Sequence, residues 1–316
     1  MRFLLDAEQR AFAASLDAML TSADTPSVVR DWSRGERGSG RALWSRIAQA
    51  GVFALAVPEE YDGLGPRPVE LTVAFVELGR HAVPGPLVET VTAAVLLDKA
   101  ERLLPPLASG ETMATLAYGS PYALDGDAAT TRLALTPDGL HLAPGHGPVR
   151  PSLDPARRLT PLTPGGELLT PTPPVGHALA RARLATAAQA LGVGLALLDK
   201  TVAYVKQRTQ FGAPIGSFQA VKHRLADAKI ALEFARPLLF GAALTMEPAD
   251  IAAAKVTACE AAYTTARTAL QLHGAIGYTA ECDLSLWLTK ARALRTAWGT
   301  PDECRALVVS GGGRRW

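Results

Sequence analysis

The sequence predicts a mainly α-helical protein with a small β domain between two helical regions. Apolar residues recur at helical spacing near both ends of the chain, whereas the middle is dense in Pro, Gly and Thr. We therefore expect an N-terminal helical domain over 1–104, a reduced β domain over 105–174 and a C-terminal four-helix bundle over 175–310. The last residues, 311–316, are expected to form a mobile tail.

The N-terminal region contains several short helical patterns. The first covers 4–20, with Asp6 as the N-terminal cap and Gln9 three residues later as its partner in a capping box. A second helix is predicted over 41–51, where Gly51 ends it. The periodicity predicts two more helices, over 69–81 and 86–101.

The middle of the chain alternates short apolar stretches with turns. The tetrapeptide TPDG separates RLAL from LHLA, which predicts a β-hairpin at 132–143.

The bundle opens with the stretch LATAAQALGVGLALLDKTVAYVK, which is apolar on nearly all sides and indicates a buried helix. The GxG within it, 192–194, indicates close helix packing rather than nucleotide binding. In the next helix, apolar residues at alternating steps of three and four predict a face that packs along another helix: Phe218, Val221, Leu225, Ala228, Leu232 and Ala235. A third helix is predicted over 249–272, stopped by Gly274.

Composition limits the function. The net charge is +2 and argues against nucleic-acid binding. No run of about 18 apolar residues occurs, so no membrane span is expected, and the N-terminus has no apolar run typical of a signal peptide, which favours the cytoplasm. The three cysteines have no zinc-site spacing, and no metal is expected.

Two glycine-containing breaks between bundle helices carry candidate binding chemistry. In RTQFGAPIG, 208–216, Arg208 offers a planar fork for a phosphate, Gln210 an amide and Phe211 an apolar face. Ser217 is the predicted N-cap of the following helix, whose N-terminus would attract an anion. A plain structural turn is the alternative. In QLHGAIGYTAE, 271–281, Gly274 and Gly277 would let a ligand approach the backbone, although glycine is common at helix ends.

Taken together, four segments give the chain a resemblance to the acyl-CoA dehydrogenase family over nearly its whole length. They are WSRIAQAGVFALAVPEEYDGLG, RTQFGAPIGSFQAVKHRLAD, QLHGAIGYTAECDL and WGTPDECR, in the family's order. The resemblance implies the three-part fold expected above and an FAD cofactor shared across a subunit interface. It assigns FAD contacts to Arg208, Gln210, Phe211, Ile215, Gln219, Gln271, Gly274, Ala275, Thr300 and Asp302. Ala275 replaces a glycine that is usual in the family.

Two features that are usual in the family are missing from this chain. The family's catalytic glutamate commonly precedes the terminal Gly-Thr, where this chain has Trp298, and an indole cannot act as a base. A minority of the family place the glutamate on an earlier helix, and our alignment puts Leu184 there. No catalytic residue is therefore assigned. The β domain also lacks the family's segment that holds the flavin ring.

The pattern suggests a non-catalytic subunit of a heteromeric acyl-CoA dehydrogenase, an α2β2 assembly like the short subunits that lack the base in actinobacterial sterol side-chain degradation. A catalytic partner would bind most of the acyl-CoA, and an electron-transfer flavoprotein would accept the electrons. Activity is expected only within such a heteromer.

Two alternatives remain open. In one, the chain is a self-sufficient FAD-dependent dehydrogenase with Glu281 or Asp283 as an unconventional base. In the other, it is a structural or acyl-CoA-binding module without redox chemistry. Trp298 could also plug the pocket that a substrate would enter.

Overall fold

The N-terminal region is a layer of helices, as the periodicity predicts. The fold is taken from a computed structural model that describes residues 4–98 and 100–311. Its helices are α1 (Ala7–Thr21), α2 (Thr25–Arg34), α3 (Gly38–Gln49), α4 (Pro68–Arg80), α5 (Leu87–Leu96) and α6 (Leu104–Ala108). Single 3₁₀ turns cover Ala54–Ala56, Glu59–Tyr61 and Glu101–Leu103.

The start of α1 confirms the predicted capping box. Asp6 Oδ1 accepts from the Gln9 amide at 2.8 Å, and Gln9 Oε1 accepts from the Asp6 amide at 3.1 Å. No element was predicted for α2, which begins after a left-handed Asp24 with no side-chain cap. The helix expected over 86–101 ends earlier, at Leu96.

The β domain contains a four-stranded sheet and a two-stranded ribbon. The strands are β1 (Ala114–Tyr118), β2 (Tyr122–Leu124), β3 (Thr131–Thr136), β4 (Gly139–Leu142), β5 (Leu159–Pro161) and β6 (Glu167–Thr170). The sheet order is β1-β3-β4-β6, in which β1 and β3 are parallel and the other pairs antiparallel, and β2 pairs with β5. The β3–β4 hairpin is the one predicted from TPDG. The domain boundaries stay predictions.

Five helices and a short hairpin complete the chain. They are α7 (Val175–Gln207), β7 (Thr209–Gln210), β8 (Ala213–Pro214), α8 (Gln219–Thr245), α9 (Pro248–His273), α10 (Leu284–Leu294) and α11 (Pro301–Val309). Helix α7 is buried on almost every side from Ala180 to Leu198, as predicted. On α8 the predicted packing face is buried from Ala228 onward, whereas Phe218 is exposed.

Glycines allow α7 to lie unusually close to its neighbours. A Cβ on Gly192 would stand 1.9 Å from the Val76 carbonyl oxygen of α4, and one on Gly79 would stand 2.1 Å from the Gln189 carbonyl oxygen. A Cβ on Gly194 would lie 2.5 Å from Leu232 Cδ2 on α8. These contacts confirm that the GxG of α7 serves helix packing.

Two further predictions concern membrane-spanning helices and the C-terminal tail. None of the described helices is long and apolar enough to cross a membrane. Most of the expected mobile tail, 312–316, lies outside the described residues, and Gly311 is buried.

Substituting Gly192 with Ala should destabilise the protein, because the new methyl group meets backbone that cannot rotate away. We expect the free energy of unfolding to fall by about 1–3 kcal/mol in urea titrations. The matched control is Gly176→Ala in the first turn of the same helix, where an added Cβ meets nothing within 4 Å. Equal stability of the two variants would contradict the close packing of α4 against α7.

Candidate functional site

The break between α7 and α8 forms a tight hairpin that presents an aromatic side chain to solvent. Phe211 and Gly212 connect β7 to β8 with φ values of 52° and 76°, as in a two-residue turn with both central residues left-handed. Such a φ is unfavourable for a bulky residue, yet the Phe211 side chain is 93% exposed. A strained and exposed aromatic residue is typical of a recognition site rather than of a plain turn.

The break after α9 lies beside this hairpin. Tyr204 near the end of α7 stacks on His273 with ring centroids 4.1 Å apart, and its hydroxyl donates to the His273 carbonyl at 3.3 Å. Arg224 of α8 donates to Gln271 Oε1. We call the joined ends of these three helices the corner; it contains eight of the ten predicted FAD residues, Arg208, Gln210, Phe211, Ile215, Gln219, Gln271, Gly274 and Ala275.

Most corner side chains are exposed and available to a ligand. Within the described part of the chain, neither the Arg208 guanidinium nor the Gln210 amide has a hydrogen-bond or ion-pair partner. The Ser217 prediction is wrong: its hydroxyl donates backward to the Pro214 carbonyl at 2.7 Å, and Phe218 occupies the N-cap position without a side-chain bond. The first amides of α8 therefore lack a side-chain cap.

Thr300 and Asp302 lie at the other end of the bundle. Thr300 caps α11 through a capping box with Glu303, and Asp302 pairs with Arg305 at 3.0 Å. Buried Lys255 of α9 donates to the Gly299 carbonyl at 2.6 Å and so fixes this turn. Since Lys255 precedes His273 by five turns of α9, the turn and the corner are about 27 Å apart along that helix. The ten predicted residues thus form two separate groups.

A cleft of about 660 Å³ lies beside the turn, and Trp298 is in its wall. Trp298 has a left-handed backbone with φ 59°. Its indole Nε1 donates to Glu89 Oε1 at 3.3 Å, while its carbonyl accepts from Arg183 Nε at 3.1 Å. Trp298, at the family's usual base position, is therefore fixed by two hydrogen bonds, and its side chain offers only an N–H donor.

The second expected base position does not face the cleft. Leu184 is 1% exposed and belongs to the core, and α7 contributes Leu179 and Arg183 to the cleft wall instead. Residues one apart on a helix point about 100° apart, so Arg183 faces the cleft while Leu184 packs into the core.

The alternative bases Glu281 and Asp283 also lie elsewhere. Both are exposed, and Asp283 pairs with Arg30 at 2.6 Å. Asp283 precedes α10, whereas Trp298 follows that helix, so the length of α10 separates them.

Glu89 of α5 is the cleft residue that the sequence analysis missed. It is 3% exposed, and its Oε2 has no partner among the described residues. Burial raises the pKa of Glu89, partly offset by the charge of Arg157 and by the Trp298 hydrogen bond. The other carboxyl at the cleft is Glu303, whose pKa is lowered by its hydrogen bonds to Thr300. A lone acid in the apolar run PLVETVTAAVLL was the available signal.

The β-domain side of the cleft combines leucines with two tyrosines and an arginine. Its wall consists of Leu116, Tyr118, Tyr122, Leu124, Arg157 and Leu159. No serine or threonine hydroxyl is among these described side chains. The corner thus offers a guanidinium and exposed amides to a ligand, whereas this wall offers three leucines, two tyrosines and one arginine.

One cluster of two carboxylates and a histidine has the spacing of metal ligands. Ligand atoms of Asp17, Glu77 and His81 lie within 4.8 Å of one another, the only such group among the described residues. Arg80 already pairs with Glu77 at 3.6 Å and competes for it, so we assign no metal there.

Comparison with known proteins identifies relatives that match most of the chain. IpdE2, an acyl-CoA dehydrogenase of Mycolicibacterium smegmatis, is 34% identical over 303 residues, or 94% of this chain and 96% of that protein. The acyl-CoA dehydrogenase FadE34 of Mycobacterium tuberculosis is 33% identical over 306 residues, but the match spans 43% of its length.

Solved structures share the fold. The ChsE4–ChsE5 complex from Mycobacterium tuberculosis superposes with a TM-score of 0.85 at 22% identity, covering 100% of both chains. The Tcur3481–Tcur3483 steroid ACAD G363A variant gives a TM-score of 0.81 at 25% identity, covering 96% of this chain and 98% of that one.

Family models match both helical regions. The acyl-CoA dehydrogenase N-terminal domain matches residues 6–111, and the C-terminal domain matches 175–311. The two matches leave out residues 112–174, which contain the β domain. They nevertheless cover well over half of the sequence, and the chain therefore belongs to the acyl-CoA dehydrogenase family.

Proposed function

We propose that this chain is a non-catalytic subunit of a heteromeric acyl-CoA dehydrogenase and completes the FAD site of a catalytic partner. The observation that carries the proposal is the contrast between its two site regions. The corner presents unpaired Arg208 and Gln210 beside exposed Phe211, whereas the base position holds Trp298, bonded to Glu89. A self-sufficient enzyme would need both regions to be functional.

In the proposed assembly, Arg208 binds the FAD pyrophosphate with its planar fork, since a guanidinium suits phosphate geometry. Gln210 and Gln271 donate amide hydrogen bonds, and Phe211 packs on an apolar surface of cofactor or partner. Bound FAD would supply the two-electron oxidation of the acyl group. Thr300 and Asp302, at the far end of the bundle, belong to a different FAD contact than the corner does.

The exposed face of α8 supports a subunit interface. Ile230, Phe234 and Leu238 recur every four residues, so they share one side of the helix, and each is 47–70% exposed. This face is continuous with the corner through the same helix. An apolar face of this kind is typical of a surface that another subunit covers.

The partner is proposed to bind the acyl-CoA and to provide the base. The solved neighbour described as a steroid ACAD favours a lipid or sterol side-chain acyl-CoA as the substrate class. An electron-transfer flavoprotein is the proposed electron acceptor.

A second candidate function keeps catalysis in this chain, with Glu89 as the base. Its buried position in the cleft and raised pKa favour this reading, because a general base works best with a pKa near the operating pH. The indole hydrogen bond to Glu89 argues against it. A module without redox chemistry is less favoured, because it leaves the unpaired corner residues unexplained.

Substituting Arg208 with Ala should reduce the FAD content of the complex. Loss of one charge-assisted hydrogen bond to phosphate is worth about 1.5–3 kcal/mol, so FAD should bind about 10–100-fold more weakly. The flavin absorbance of the chain purified with its partner measures the effect, and Lys206→Ala, an exposed change in the last turn of α7, is the control. Unchanged flavin content would contradict a phosphate role for Arg208 and favour the module without redox chemistry.

The Glu89→Gln variant separates the two catalytic hypotheses. The amide keeps the shape and can still accept the Trp298 hydrogen bond, so turnover of the complex should stay within about twofold of wild type if the base is in the partner. A loss of kcat by several orders of magnitude would establish Glu89 as the base.

As a companion test, Trp298→Glu should create no dehydrogenase activity in the chain alone. Measurable dehydrogenation by this variant would mean that the chain binds flavin and substrate without a partner.

Substituting Phe234 with Glu should weaken association with the partner. Removing a central aromatic contact typically costs about 2 kcal/mol or more, which corresponds to about 30-fold in Kd. Size-exclusion chromatography of the co-expressed chains measures this, with Ala14→Glu on the exposed side of α1 as the control. Normal assembly of the Phe234 variant would exclude this face of α8 from the interface.

A further inference from the structure

Arg181 is a buried charge without a counter-ion. Its side chain is 7% exposed, and both Nε and Nη1 are fully buried without a hydrogen-bond partner in the described part of the chain. No ion pair with a described carboxylate compensates it. A guanidinium stays charged in proteins, and burying an unpaired charge is costly. Such a side chain indicates that something is bound there in the working protein.

This residue faces away from the cleft that contains Trp298. Leu179 and Arg183 line that cleft, and Arg181 lies two residues from each along α7, or about 200° around the helix axis. It lines a separate pocket of about 490 Å³ between α7, α5 and the loop before α4. A site in this pocket is therefore independent of the proposed FAD and base positions.

The lining of this pocket selects the ligand chemistry. Most of it is apolar, with contributions from Ala56, Pro66, Ala94, Val95, Leu104 and Met246. Glu60 and Asp98 also line it and would repel a ligand with several negative charges. His177 and Tyr61 are the other polar residues of the lining. One buried guanidinium in a mostly apolar pocket with acidic neighbours suits a single carboxylate on an apolar body. Phosphates and whole acyl-CoA molecules carry too much negative charge.

We propose that this pocket, which we call the Arg181 pocket, binds an amphipathic monocarboxylate whose carboxylate pairs with Arg181. Its volume lies within the range of small-molecule sites. The carboxylate accepts from two neighbouring N–H groups of the guanidinium, the bidentate geometry that an arginine favours. The chain of the ligand lies against Val95, Ala94 and Met246. The proposal does not rest on the proposed function, since it holds for a catalytic or a non-catalytic chain.

The test is titration calorimetry of the full chain, alone or as its purified complex, with decanoate as the probe. Decanoate has about 12 non-hydrogen atoms, a size that such a pocket holds. We expect saturable binding of decanoate and none of decylamine, which has the same chain and the opposite charge. Arg181→Met keeps the volume and removes the charge, and it should bind decanoate at least about 10-fold more weakly. Without ligand, this variant should unfold at the same or a higher temperature than wild type.

A second variant shows whether lost binding in the first could come from a folding defect. Val95→Phe fills the pocket and leaves the charge in place, and it should also lose decanoate binding. Flavin content of the complex should not change in either variant, which separates this site from the corner. Equal decanoate affinity in wild type and Arg181→Met would overturn the proposal. The proposal would also be overturned if the wild-type chain does not bind decanoate while Arg181→Met weakens association with the partner subunit. Arg181 would then pair with a carboxylate of the partner.

Discussion

The close crossing of α4 and α7 is the contact on which the rest of the molecule depends. Gly79 and Gly192 let the two backbones approach within the space that a single methyl group would fill. Helix α7 then passes through the centre of the protein and presents different faces along its length. Leu179 and Arg183 reach the cleft, Arg181 reaches its own pocket and Arg208 ends the helix at the corner. A shift of α7 would therefore move all three sites together.

Features confined to a short segment could be predicted from the sequence. The capping box at Asp6, the β3–β4 hairpin and the end of α9 each depend on residues within a few positions of one another. The corner could be recognised for the same reason, because the residues of its two breaks lie close together in the chain. Its assignment to FAD came from the family resemblance and remains a proposal.

Features that depend on rotation about a helix or on distant contacts could not be predicted. That Arg183 rather than Leu184 faces the cleft could not be predicted, because the buried stretch of α7 is apolar on nearly all sides. Glu89 meets Trp298 across 209 positions of sequence. The Ser217 hydroxyl donates to the Pro214 carbonyl instead of capping α8. Both hydrogen bonds are local, so the sequence does not indicate which of them forms.

The backbone of the corner hairpin has a consequence for the rate of association. Phe211 and Gly212 hold their left-handed conformations in the free chain, fixed by the β7–β8 pairing on both sides. The conformational cost of displaying the aromatic ring is therefore met during folding and not during encounter with a binding partner. Little ordering remains for the docking step, so a partner or cofactor meets a preorganised anchor and binding needs no loop rearrangement that would slow its capture.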